Sequence, residues 1–539
     1  MKKALLFLVI IFIVNALSSQ VASDKYWVQF ADKHNNPYSI DNPEAFLSMR
    51  ALQRRVNQHI VIDEYDLPVT PEYLVRLRQT GASILNVSKW LNGATIAVDD
   101  DDVLQAVMAL PFVSATRACV SHETRRIEKE VDEDKGVADY MPSFYGDAYN
   151  HIGTINGKPL HDAGFMGDGM MIAVMDGGFA GADTIRIFKN LREEGRLLGT
   201  RNFVRKDETI FKGSQHGTAC LGLMAGYLPN EYVGTAPKAS YYLFMTEDVD
   251  SENIIEEYNW VSAAELADSL GVDVCSTSLG YIDFDIEEWT HVYSDLDGAT
   301  TPISLGAAIA CSRGMLCVNS AGNSGQKPFP YIGAPADVES VLTIGAVNDS
   351  GVIAPFSSFG PTFDQRVKPD IVAMGWGDRV VAYNGTYYNG SGTSFACPII
   401  AGMTTCLWQS RPYSTPREIA DALRKTANRA EMPDYQYGYG LPDFEAAMAV
   451  LPEIKEPESD NLITVFPNPS TGNVRVRLQE AYKVSIVVND ILGRKLITYE
   501  FNGLNNNTLE QQLNSLRAGV YFITASDGHS QTIKVVLMR

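Results

Sequence analysis

The sequence predicts an α/β fold with a mostly parallel sheet for its central region, residues 146–451. Three apolar stretches of that region have the composition of strands that are buried on both faces: residues 170–175, 316–318 and 341–344. Helical patterns separate these strands, for example at residues 261–270 and 305–311. Buried strands that alternate with helices form parallel sheets covered on both faces, so we expect three layers.

Residues 24–120 predict a small α+β domain of the ferredoxin-like type. Strand-like and helical stretches alternate there: strands at 26–30, 82–87, 92–98 and 112–117, and helices at 71–77 and 102–108. Their order is strand, helix, strand, strand, helix, strand. That is the order of elements in the ferredoxin-like plan.

Residues 461–539 predict a small β-sandwich. Short strands lie between turns there, at residues 474–478, 484–488 and 520–523. Two polar segments separate the three regions. Residues 121–145 are highly charged and residues 452–460 are acidic and contain prolines, so we expect both to be linkers.

The first 19 residues have the pattern of a secretory signal peptide. A positive start, Met1-Lys2-Lys3, precedes an almost wholly apolar run at residues 4–17, and small residues follow it. This run is shorter than the roughly 20 residues that span a bilayer, and no later segment is suited to span one. We therefore expect an exported mature chain without a membrane span.

The composition argues against some classes of protein. A net charge of −21 argues against a nucleic-acid partner, because phosphates need a basic surface. Most of the seven cysteines have apolar neighbours, and no CxxC pair suggests zinc. We expect most of them to be small buried side chains. Export permits a disulfide, but the sequence assigns none.

The stretch NGSGTSFACPIIAGM, residues 389–403, changes abruptly from small polar residues to an apolar helical pattern. Its glycines permit a tight turn. Thr393 or Ser394 could cap the helix, and Pro398 would fall at about its first turn, where it costs at most one bond. Ser394 is then either a structural cap or a nucleophile at a helix start.

A serine nucleophile needs a base, and the base needs an orienting carboxylate. Of the eight histidines, His216 has a suggestive setting, in a glycine-flanked turn before an apolar helix. Asp176 ends a buried strand, where a carboxylate can be held away from water. Asn323, also after a strand, could donate its amide to an oxyanion. Each of these residues could alternatively be an ordinary helix-start or turn residue.

The chain order of the three candidates distinguishes between folds. Asp176, His216 and Ser394 follow one of the known orders of a Ser–His–Asp triad. The order does not fit an α/β-hydrolase, because Ala396 stands where that motif needs glycine. In addition, the single histidine after Ser394 is His529, in the separate C-terminal region.

Taken together, the four motifs resemble those of the subtilisin-like serine proteases. They match that family's signatures in order: Asp176-Gly-Gly, His216-Gly-Thr, Ser320-Ala-Gly-Asn-Ser-Gly and Gly392-Thr-Ser-Phe-Ala-Cys-Pro. The resemblance implies a subtilisin-like three-layer fold and peptide hydrolysis through an acyl-enzyme. It also implies these roles: nucleophile, Ser394; base and acid, His216; orienting carboxylate, Asp176; oxyanion hole, Asn323 with the Ser394 N–H.

The resemblance also implies positions that bind protein or peptide substrates. Ser278, Leu279 and Gly280 resemble the segment on which the peptide pairs as an added strand. Gly322 belongs to the oxyanion motif. Gly333 resembles part of the wall of the primary specificity pocket, where a glycine leaves the floor open for large apolar side chains.

Some positions depart from the family's pattern. Gly177 replaces the Thr or Ser that is usual after the aspartate, and Ala219 replaces a common second histidine. Neither change removes a member of the triad. The calcium-binding loops of better-known members are not clearly recognisable, so we predict no metal-site residues and keep calcium only as a candidate cofactor.

The flanking regions also resemble parts of secreted proteases. Residues 24–120 resemble the family's inhibitory propeptides, which assist folding and are cut off in the linker. The C-terminal region resembles the sorting domain of type IX secretion at four places: residues 465–469, 490–493, 518–521 and 534–536. Expected partners are therefore the chain's own propeptide and the secretion machinery, and the expected location is outside the cell or on its surface.

Two kinds of function are open from the sequence. The first is an active secreted endopeptidase, and the second is a surface-displayed binding protein that keeps the fold without activity. The complete triad and the propeptide favour the enzyme. Among enzymes, a dedicated processing protease competes with a broad scavenger of nutrient protein.

Overall fold

This computed structural model describes residues 24–120, 143–452, 463–466, 475–478, 483–502, 516–526 and 530–537. The predicted signal peptide, residues 1–19, lies outside the described residues. So do residues 121–142 of the first predicted linker and residues 453–460 of the second.

The N-terminal domain has the predicted ferredoxin-like plan with one added helix. Its elements are β1 (Asp24–Phe30), α1 (Met49–Asn57), α2 (Pro71–Gln79), β2 (Ser83–Ser88), β3 (Gly93–Val98), α3 (Asp101–Met108) and β4 (Val113–Ala118). The strands pair antiparallel in the order β2-β3-β1-β4. Val28, Leu77, Ile96 and Val107 form a fully buried core. The added helix is α1, in the long connection between β1 and α2.

The central domain is built on a seven-stranded parallel sheet. Its first half contains α4 (Tyr149–Gly153), α5 (Lys158–Asp162), β5 (Met171–Asp176), α6 (Lys189–Glu193), β6 (Leu197–Asn202), α7 (His216–Ala225), β7 (Tyr227–Leu228), β8 (Tyr232–Val233), β9 (Ser240–Met245) and α8 (Ile255–Leu270). Its second half contains β10 (Val274–Thr277), α9 (Pro302–Ser312), β11 (Leu316–Ser320), β12 (Leu342–Val347), β13 (Ile371–Met374), β14 (Trp376–Val381), β15 (Tyr387–Ser391), α10 (Thr393–Ser410), α11 (Pro416–Thr426) and α12 (Phe444–Val450).

The sheet has the strand order β13-β12-β11-β10-β5-β9-β6, and every pair in it is parallel. Successive side chains of a strand point to opposite faces and therefore enter two separate apolar cores. In β5, Ile172 and Val174 pack with α7 and α10, whereas Ala173 and Met175 pack with α8 and α9. Helices thus cover both faces, and the predicted three-layer α/β fold is confirmed.

Helix α8 begins at Ile255 rather than at the predicted residue 261. Two glutamates, Glu256 and Glu257, interrupt the apolar pattern before residue 261. Glu257, however, is fully buried, because it accepts hydrogen bonds from His291 and from the Ile303 N–H at 3.1 Å. Burial of a carboxylate costs much less when its oxygens accept hydrogen bonds, so a buried helix can extend beyond its run of apolar residues.

The register of the parallel strands brings three chain segments to one edge of the sheet. Thr277 pairs with Met175 on one side and with Asn319 on the other. The residues that follow β5, β10 and β11 therefore lie together at the carboxyl edge. In open α/β sheets this edge is where functional sites form.

The described parts of the C-terminal region form antiparallel strands, in agreement with the short strands that the sequence predicts there. They are β16 (Ile463–Phe466), β17 (Arg475–Leu478), β18 (Lys483–Asp490), β19 (Lys495–Asn502), β20 (Gly519–Ser526) and β21 (Ser530–Leu537). Strands β16 and β17 form one pair, and the others form a sheet in the order β19-β18-β20-β21. Alternate residues of this sheet, among them Ile486, Val488 and Ile523, are buried on one face.

Within the described ranges, no helix is both long and apolar enough to cross a membrane. All seven cysteines are unpaired, and all except the partly exposed Cys311 are buried. The prediction that most cysteines are small buried side chains is therefore confirmed.

Candidate active site

Four elements bring the predicted catalytic residues to the carboxyl edge of the sheet. Asp176 is the last residue of β5, and His216 is the first residue of α7. Ser394 is the second residue of α10, and Asn323 lies in the loop after β11. Because α7 and α10 pack against each other on one face of the sheet, their starts lie side by side.

Asp176 holds the ring of His216 in one orientation. Both carboxylate oxygens lie 2.9 Å from His216 Nδ1, which donates to them. Asp176 is fully buried and also accepts the Gly177 N–H at 2.8 Å. A proton on Nδ1 leaves the lone pair on Nε2, which is the form that a general base needs.

The glycine after the histidine makes this contact sterically feasible. A Cβ at Gly217 would lie 2.5 Å from the carbonyl oxygen of Gly178 and 2.9 Å from Asp176 Cβ. The Gly217 N–H donates to that same oxygen at 3.1 Å. A side chain at this position would push the first turn of α7 away from β5, and His216 would lose its hydrogen bond to Asp176.

The pKa of His216 lies well above its ordinary value. Burial is the largest single influence and lowers the pKa of His216, but the charge and hydrogen bond of Asp176, together with the contribution of Cys220, outweigh it. The His216 side chain is 33% exposed, so a substrate can reach the ring. The ring is thus both accessible and strongly basic.

The helix of Ser394 starts with a glycine cap, not with the predicted hydroxyl cap. Gly392 is the N-cap residue, in extended backbone geometry, and no side chain caps the helix. Ser394 Oγ donates instead to the carbonyl oxygen of Ser278 at 3.2 Å. Proton transfer to His216 requires the hydroxyl to turn away from that oxygen, by rotation about one side-chain bond.

Pro398 is the sixth residue of α10, later than the first turn that the sequence suggests. It lacks the N–H that would bond the carbonyl of Ser394, four residues earlier. That carbonyl accepts the Ser278 hydroxyl at 2.8 Å and the Cys220 thiol at 3.4 Å instead. Because Pro398 cannot donate to it, the Ser394 carbonyl is free to accept these two bonds, which connect the start of α10 with the residue after β10 and with α7.

Sequence reasoning places Ser278 in the substrate strand and does not single out Cys220. Cys220 follows His216 by one helical turn, and its Sγ lies 3.9 Å from His216 Nδ1. Burial raises the pKa of Cys220, so it is present as the thiol. The spacing of four residues from His216 was the signal that could have identified it, because such residues share one helix face.

Asn323 is oriented by Thr393, a contact that the sequence does not reveal. Asn323 Oδ1 accepts the Thr393 N–H and the Thr393 hydroxyl, both at 2.9 Å. The same hydroxyl accepts the Gly322 N–H at 3.1 Å. With Oδ1 engaged, the Nδ2 group of the exposed Asn323 lies beside Gly392 and can serve as a donor.

The predicted substrate strand continues from β10 at the same edge. Ser278 contacts Ser394, and the carbonyl of the nearly buried Leu279 accepts the Asn319 amide at 3.0 Å. Gly280, the next residue, is exposed. Its backbone is accessible to a peptide that adds as a strand.

The remaining two predicted substrate-binding glycines have different surroundings. Gly322 has a φ of +105°, and a Cβ there would lie 2.9 Å from Ser358 Oγ. A Cβ at Gly333 would lie 2.8 Å from Ile282 Cγ1, so the apolar side chain of Ile282 lies directly beside this glycine. Tyr281 pairs with Ala334, which keeps Gly333 beside the substrate strand.

One group of metal-ligating side chains occurs in the part of the chain that the structure describes. Asp176, His216 and Cys220 place one ligand atom each within 4.8 Å of one another. Calcium prefers several hard oxygen ligands, and this set contains a thiol and an imidazole. The set does not fit calcium, and its members already contact one another as described above.

Three family descriptions match successive parts of the chain. Residues 167–440 match the subtilase family, residues 25–135 the peptidase S8 propeptide domain of Bacteroidota, and residues 464–539 a secretion system C-terminal sorting domain. The sorting domain indicates secretion and export to the cell surface, and the propeptide domain fits a secreted protease.

The chain is similar to several bacterial proteases. Subtilisin NAT of Bacillus subtilis subsp. natto is 30% identical over 348 residues, which cover 62% of this chain and 81% of that protein. Subtilisin of Bacillus pumilus is 29% identical over 303 residues, covering 55% and 97%. A solved structure, that of the prenylagaramide maturation protease PagA, is 22% identical with a TM-score of 0.44 and covers 55% of this chain and 98% of that one.

The subtilase match includes every residue of the site described above, from Asp176 at the end of β5 to Ser394 in α10. The propeptide and sorting-domain matches flank it on the two sides that the sequence predicts. The chain belongs to the subtilase family and is a serine endopeptidase.

Proposed function

We propose that Ser394 is the nucleophile of this endopeptidase, with His216 as general base and acid. Asp176 is the carboxylate that orients His216. The proposal rests on one observation above all, the contact of both Asp176 oxygens with His216 Nδ1 at 2.9 Å, at the start of a helix that packs on the helix of Ser394. A buried carboxylate that selects the imidazole tautomer is the arrangement that a serine nucleophile needs.

Peptide hydrolysis then proceeds in two steps. Ser394 Oγ bonds to the substrate carbonyl carbon while its proton passes to His216 Nε2, and the carbonyl oxygen becomes an oxyanion. When the C–N bond breaks, His216 gives this proton to the leaving amine and the acyl group stays on Ser394. Water then attacks the acyl carbon while His216 Nε2 takes its proton; the bond from that carbon to Ser394 Oγ breaks, the proton passes from His216 to Oγ, and the acid product leaves.

Two donors are placed to stabilise the oxyanion. Asn323 Nδ2 is one, because its Oδ1 is occupied by Thr393. The Ser394 N–H is the other, since the second residue of a helix has no intrahelical acceptor for its N–H. Donors fixed in this way stabilise charge without reorganising during the reaction.

A fluorophosphonate probe tests the assignment of the nucleophile. The matured wild type should be labelled, Ser394→Ala should not be labelled, and both should unfold at similar temperatures. Ser391→Ala is the matched control, because Ser391 lies in the same stretch but accepts a bond from the Gly377 N–H. Labelling of Ser394→Ala, or no labelling of a folded and matured wild type, would rule the assignment out.

We propose further that substrates bind along Ser278, Leu279 and Gly280 with a large apolar side chain before the cleaved bond. The exposed Gly280 backbone and the isoleucine wall at Gly333 support this preference. Cleavage of a mixed peptide library measures it directly. A narrow profile would indicate a dedicated processing protease, a broad apolar profile a scavenger, and a preference for charged residues would contradict the proposal.

The division of the chain into units is part of the same proposal. We propose a signal peptide at 1–19, a propeptide at 24–120, cuts in the 121–145 linker, a peptidase domain at 146–451, a linker at 452–460 and a sorting domain at 461–539. The propeptide and sorting-domain matches support this division. N-terminal sequencing and intact mass of the matured enzyme should place both new ends inside the linkers.

Addition of a calcium chelator, followed by thermal unfolding, tests for a stabilising calcium ion.

A further inference from the structure

Two acidic loops meet beside the predicted substrate strand. The first, residues 246–254, connects β9 to α8, and the second, residues 281–289, directly follows Gly280. Each loop carries four carboxylates, and neither carries a lysine or an arginine. The Asp285 N–H donates to the Glu252 carbonyl at 2.9 Å, and the Glu252 N–H donates to the Asp285 carboxylate at 3.1 Å. We call the two joined loops the acidic loop pair.

The first loop begins next to the active site. The Thr246 N–H donates to the backbone carbonyl of Asp176, the aspartate of the proposed triad, at 3.1 Å. A Cβ at Gly177 would lie 2.7 Å from Val249 Cγ1 and 3.9 Å from Glu247 Cβ. The acidic loop pair therefore extends from the triad to the end of the substrate strand, and a peptide that adds to that strand runs alongside it.

Tyr281, the residue after Gly280, places its hydroxyl among these carboxylates. The side chain is fully buried, and its hydroxyl has no hydrogen-bond partner in the described part of the chain. Burial raises the pKa of Tyr281 well above its usual value, and the charges of Glu247, Glu256 and Glu252 raise it further. A buried hydroxyl without a partner costs free energy, so this group indicates a ligand that supplies the partner when it binds.

The chemistry of these groups fits the side chain of an arginine or a lysine. Carboxylates and a phenol oxygen accept hydrogen bonds, and a guanidinium offers five donors in one plane. A calcium ion instead needs several oxygen ligands around one point. Among the described residues, the one group of three acidic, histidine or cysteine side chains with ligand atoms within 4.8 Å of one another is Asp176, His216 and Cys220. The carboxylates of the acidic loop pair are thus too widely spaced for one ion and suit a larger cation.

The sequence places two arginines a short length of chain away from the acidic loop pair. Val120, at the end of the first described range, lines a cavity of about 150 Å³ together with Asp248 and Glu256. Arg125 and Arg126 follow Val120 by five and six residues in the sequence. The predicted linker therefore carries charges opposite to those of the loops near which it begins.

We propose that the acidic loop pair is a specificity site that binds an arginine or lysine side chain of the substrate, upstream of the residue at the cleaved bond. This rests on the proposed function, because it assigns a second subsite to the same peptidase. The basic side chain enters between Glu252 and Asp285, which are both half-buried, and reaches the Tyr281 hydroxyl. The large apolar side chain proposed above stays next to the cleaved bond. A preferred segment thus contains both, as Arg125-Arg126-Ile127 does.

The test compares two sets of peptides as substrates of the matured enzyme. One set carries a single arginine at successive positions before a fixed apolar residue, and the other carries citrulline there, which has nearly the same shape without the charge. At one of these positions arginine should raise kcat/KM at least about tenfold over citrulline, because charge-assisted hydrogen bonds are lost with the charge. Equal kcat/KM for arginine and citrulline at every position would overturn the proposal.

Glu252→Gln assigns the preference to the acidic loop pair. It should lower the ratio of kcat/KM for arginine to that for citrulline at least about threefold, since one partner of the basic side chain loses its charge. Glu193→Gln is the matched control, because Glu193 is an exposed glutamate on α6 that pairs with Lys189. It removes the same charge and should keep the wild-type ratio. Equal ratios for both variants would contradict the assignment.

Tyr281→Phe removes only the hydroxyl. Because that hydroxyl has no partner in the described part of the chain, the midpoint of thermal unfolding should stay the same or rise. The arginine-to-citrulline ratio should nevertheless fall, since the hydroxyl is proposed to contact the substrate. A lower midpoint with an unchanged ratio would show that the hydroxyl has a structural role, and would contradict the proposal.

Fluorophosphonate labelling separates this proposal from the assignment of Ser394. Labelling of the wild type without an arginine preference would overturn the specificity site alone, whereas no labelling of the wild type would overturn the nucleophile. Added calcium provides a further check. A calcium-dependent rise in the unfolding midpoint that Glu252→Gln abolishes, with equal cleavage of the two peptide sets, would identify a metal site and overturn the proposal.

Discussion

Thr393 shows how much of this site depends on a single hydroxyl. Its Oγ1 donates to Asn323 Oδ1 and accepts the Gly322 N–H, so it joins the oxyanion loop to the start of α10. Without it, the Asn323 amide would be held by the Thr393 N–H alone. A donor that can rotate stabilises developing charge less than a fixed one.

We therefore expect Thr393→Val, which has nearly the same shape, to lower kcat by about tenfold, corresponding to roughly 1.4 kcal/mol in the barrier. KM should change little, because the oxyanion forms in the transition state. Steady-state kinetics on a peptide substrate measures both. Thr393→Ser keeps the hydroxyl and should retain near wild-type kcat; equal activity of the valine and serine variants would contradict this role.

The raised pKa of His216 predicts an alkaline pH profile. His216, the proposed base, must be neutral to accept the Ser394 proton. We therefore expect kcat/KM to be low below the raised pKa and to rise as pH increases through it. The contribution of this pKa shift to the free energy of unfolding has the opposite pH dependence. A raised folded-state pKa stabilises the fold below the unfolded pKa of about 6.5, and this contribution is lost as pH rises through the folded value.

Asp176→Asn removes the charge that raises the pKa of His216. The acid limb of the kcat/KM profile should move to lower pH, and kcat should fall by about 10⁴, since the wrong imidazole tautomer is favoured. Full pH–rate profiles of both enzymes measure this. An acid limb that stays in place would mean that Asp176 does not set the pKa of His216.

At the scale of elements, α10 joins catalysis to the core. Its first turn carries Thr393 and Ser394, and its later residues, such as Ile399 and Ile400, are fully buried against the sheet. Pro398 interrupts the hydrogen bonds of this helix where the Ser394 carbonyl turns to Ser278. The start of α10, and with it the proposed nucleophile Ser394, is therefore held by a hydrogen bond to Ser278 outside the helix.

Pro398→Ala would restore the N–H that the Ser394 carbonyl lacks. We expect the free energy of unfolding to rise by about 1–3 kcal/mol, because an interior helical proline is removed. We expect kcat to fall, because the Ser394 carbonyl would accept the new N–H and its hydrogen bond with the Ser278 hydroxyl would weaken. Pro416→Ala is the control: Pro416 begins α11, a position that tolerates proline, so little change is expected. An unchanged kcat for Pro398→Ala would show that the Ser278 contact does not position the nucleophile.

At the scale of the whole molecule, two apolar cores hold the central domain and a separate one holds the N-terminal domain. Buried ion pairs add to them, and none of the seven cysteines forms a disulfide. We therefore expect the midpoint of thermal unfolding to be the same with and without a reducing agent. Alkylation of the uncut chain in denaturant without prior reduction, followed by mass spectrometry, should add seven groups. Fewer than seven would reveal a disulfide that contradicts the structure.

The sequence by itself determined the family, the three-layer fold and the chain order of Asp176, His216, Asn323 and Ser394. These features are local: buried strands alternate with helical patterns, and each motif occupies a few consecutive residues. Helix α1 was not predicted, since polar arginines on a short helix suggest a solvated surface. They are buried only because a carboxylate of α8 lies opposite them.

Only the tertiary structure decided how the site is supported. Cys220 and Ser394 are 174 residues apart in the chain, and Asn323 and Thr393 are 70 apart, so their contacts exist only after the sheet has formed. The same holds for Ile282, which lies directly beside Gly333. Local patterns specify which residues end a strand or begin a helix, whereas packing between layers specifies which atoms then meet.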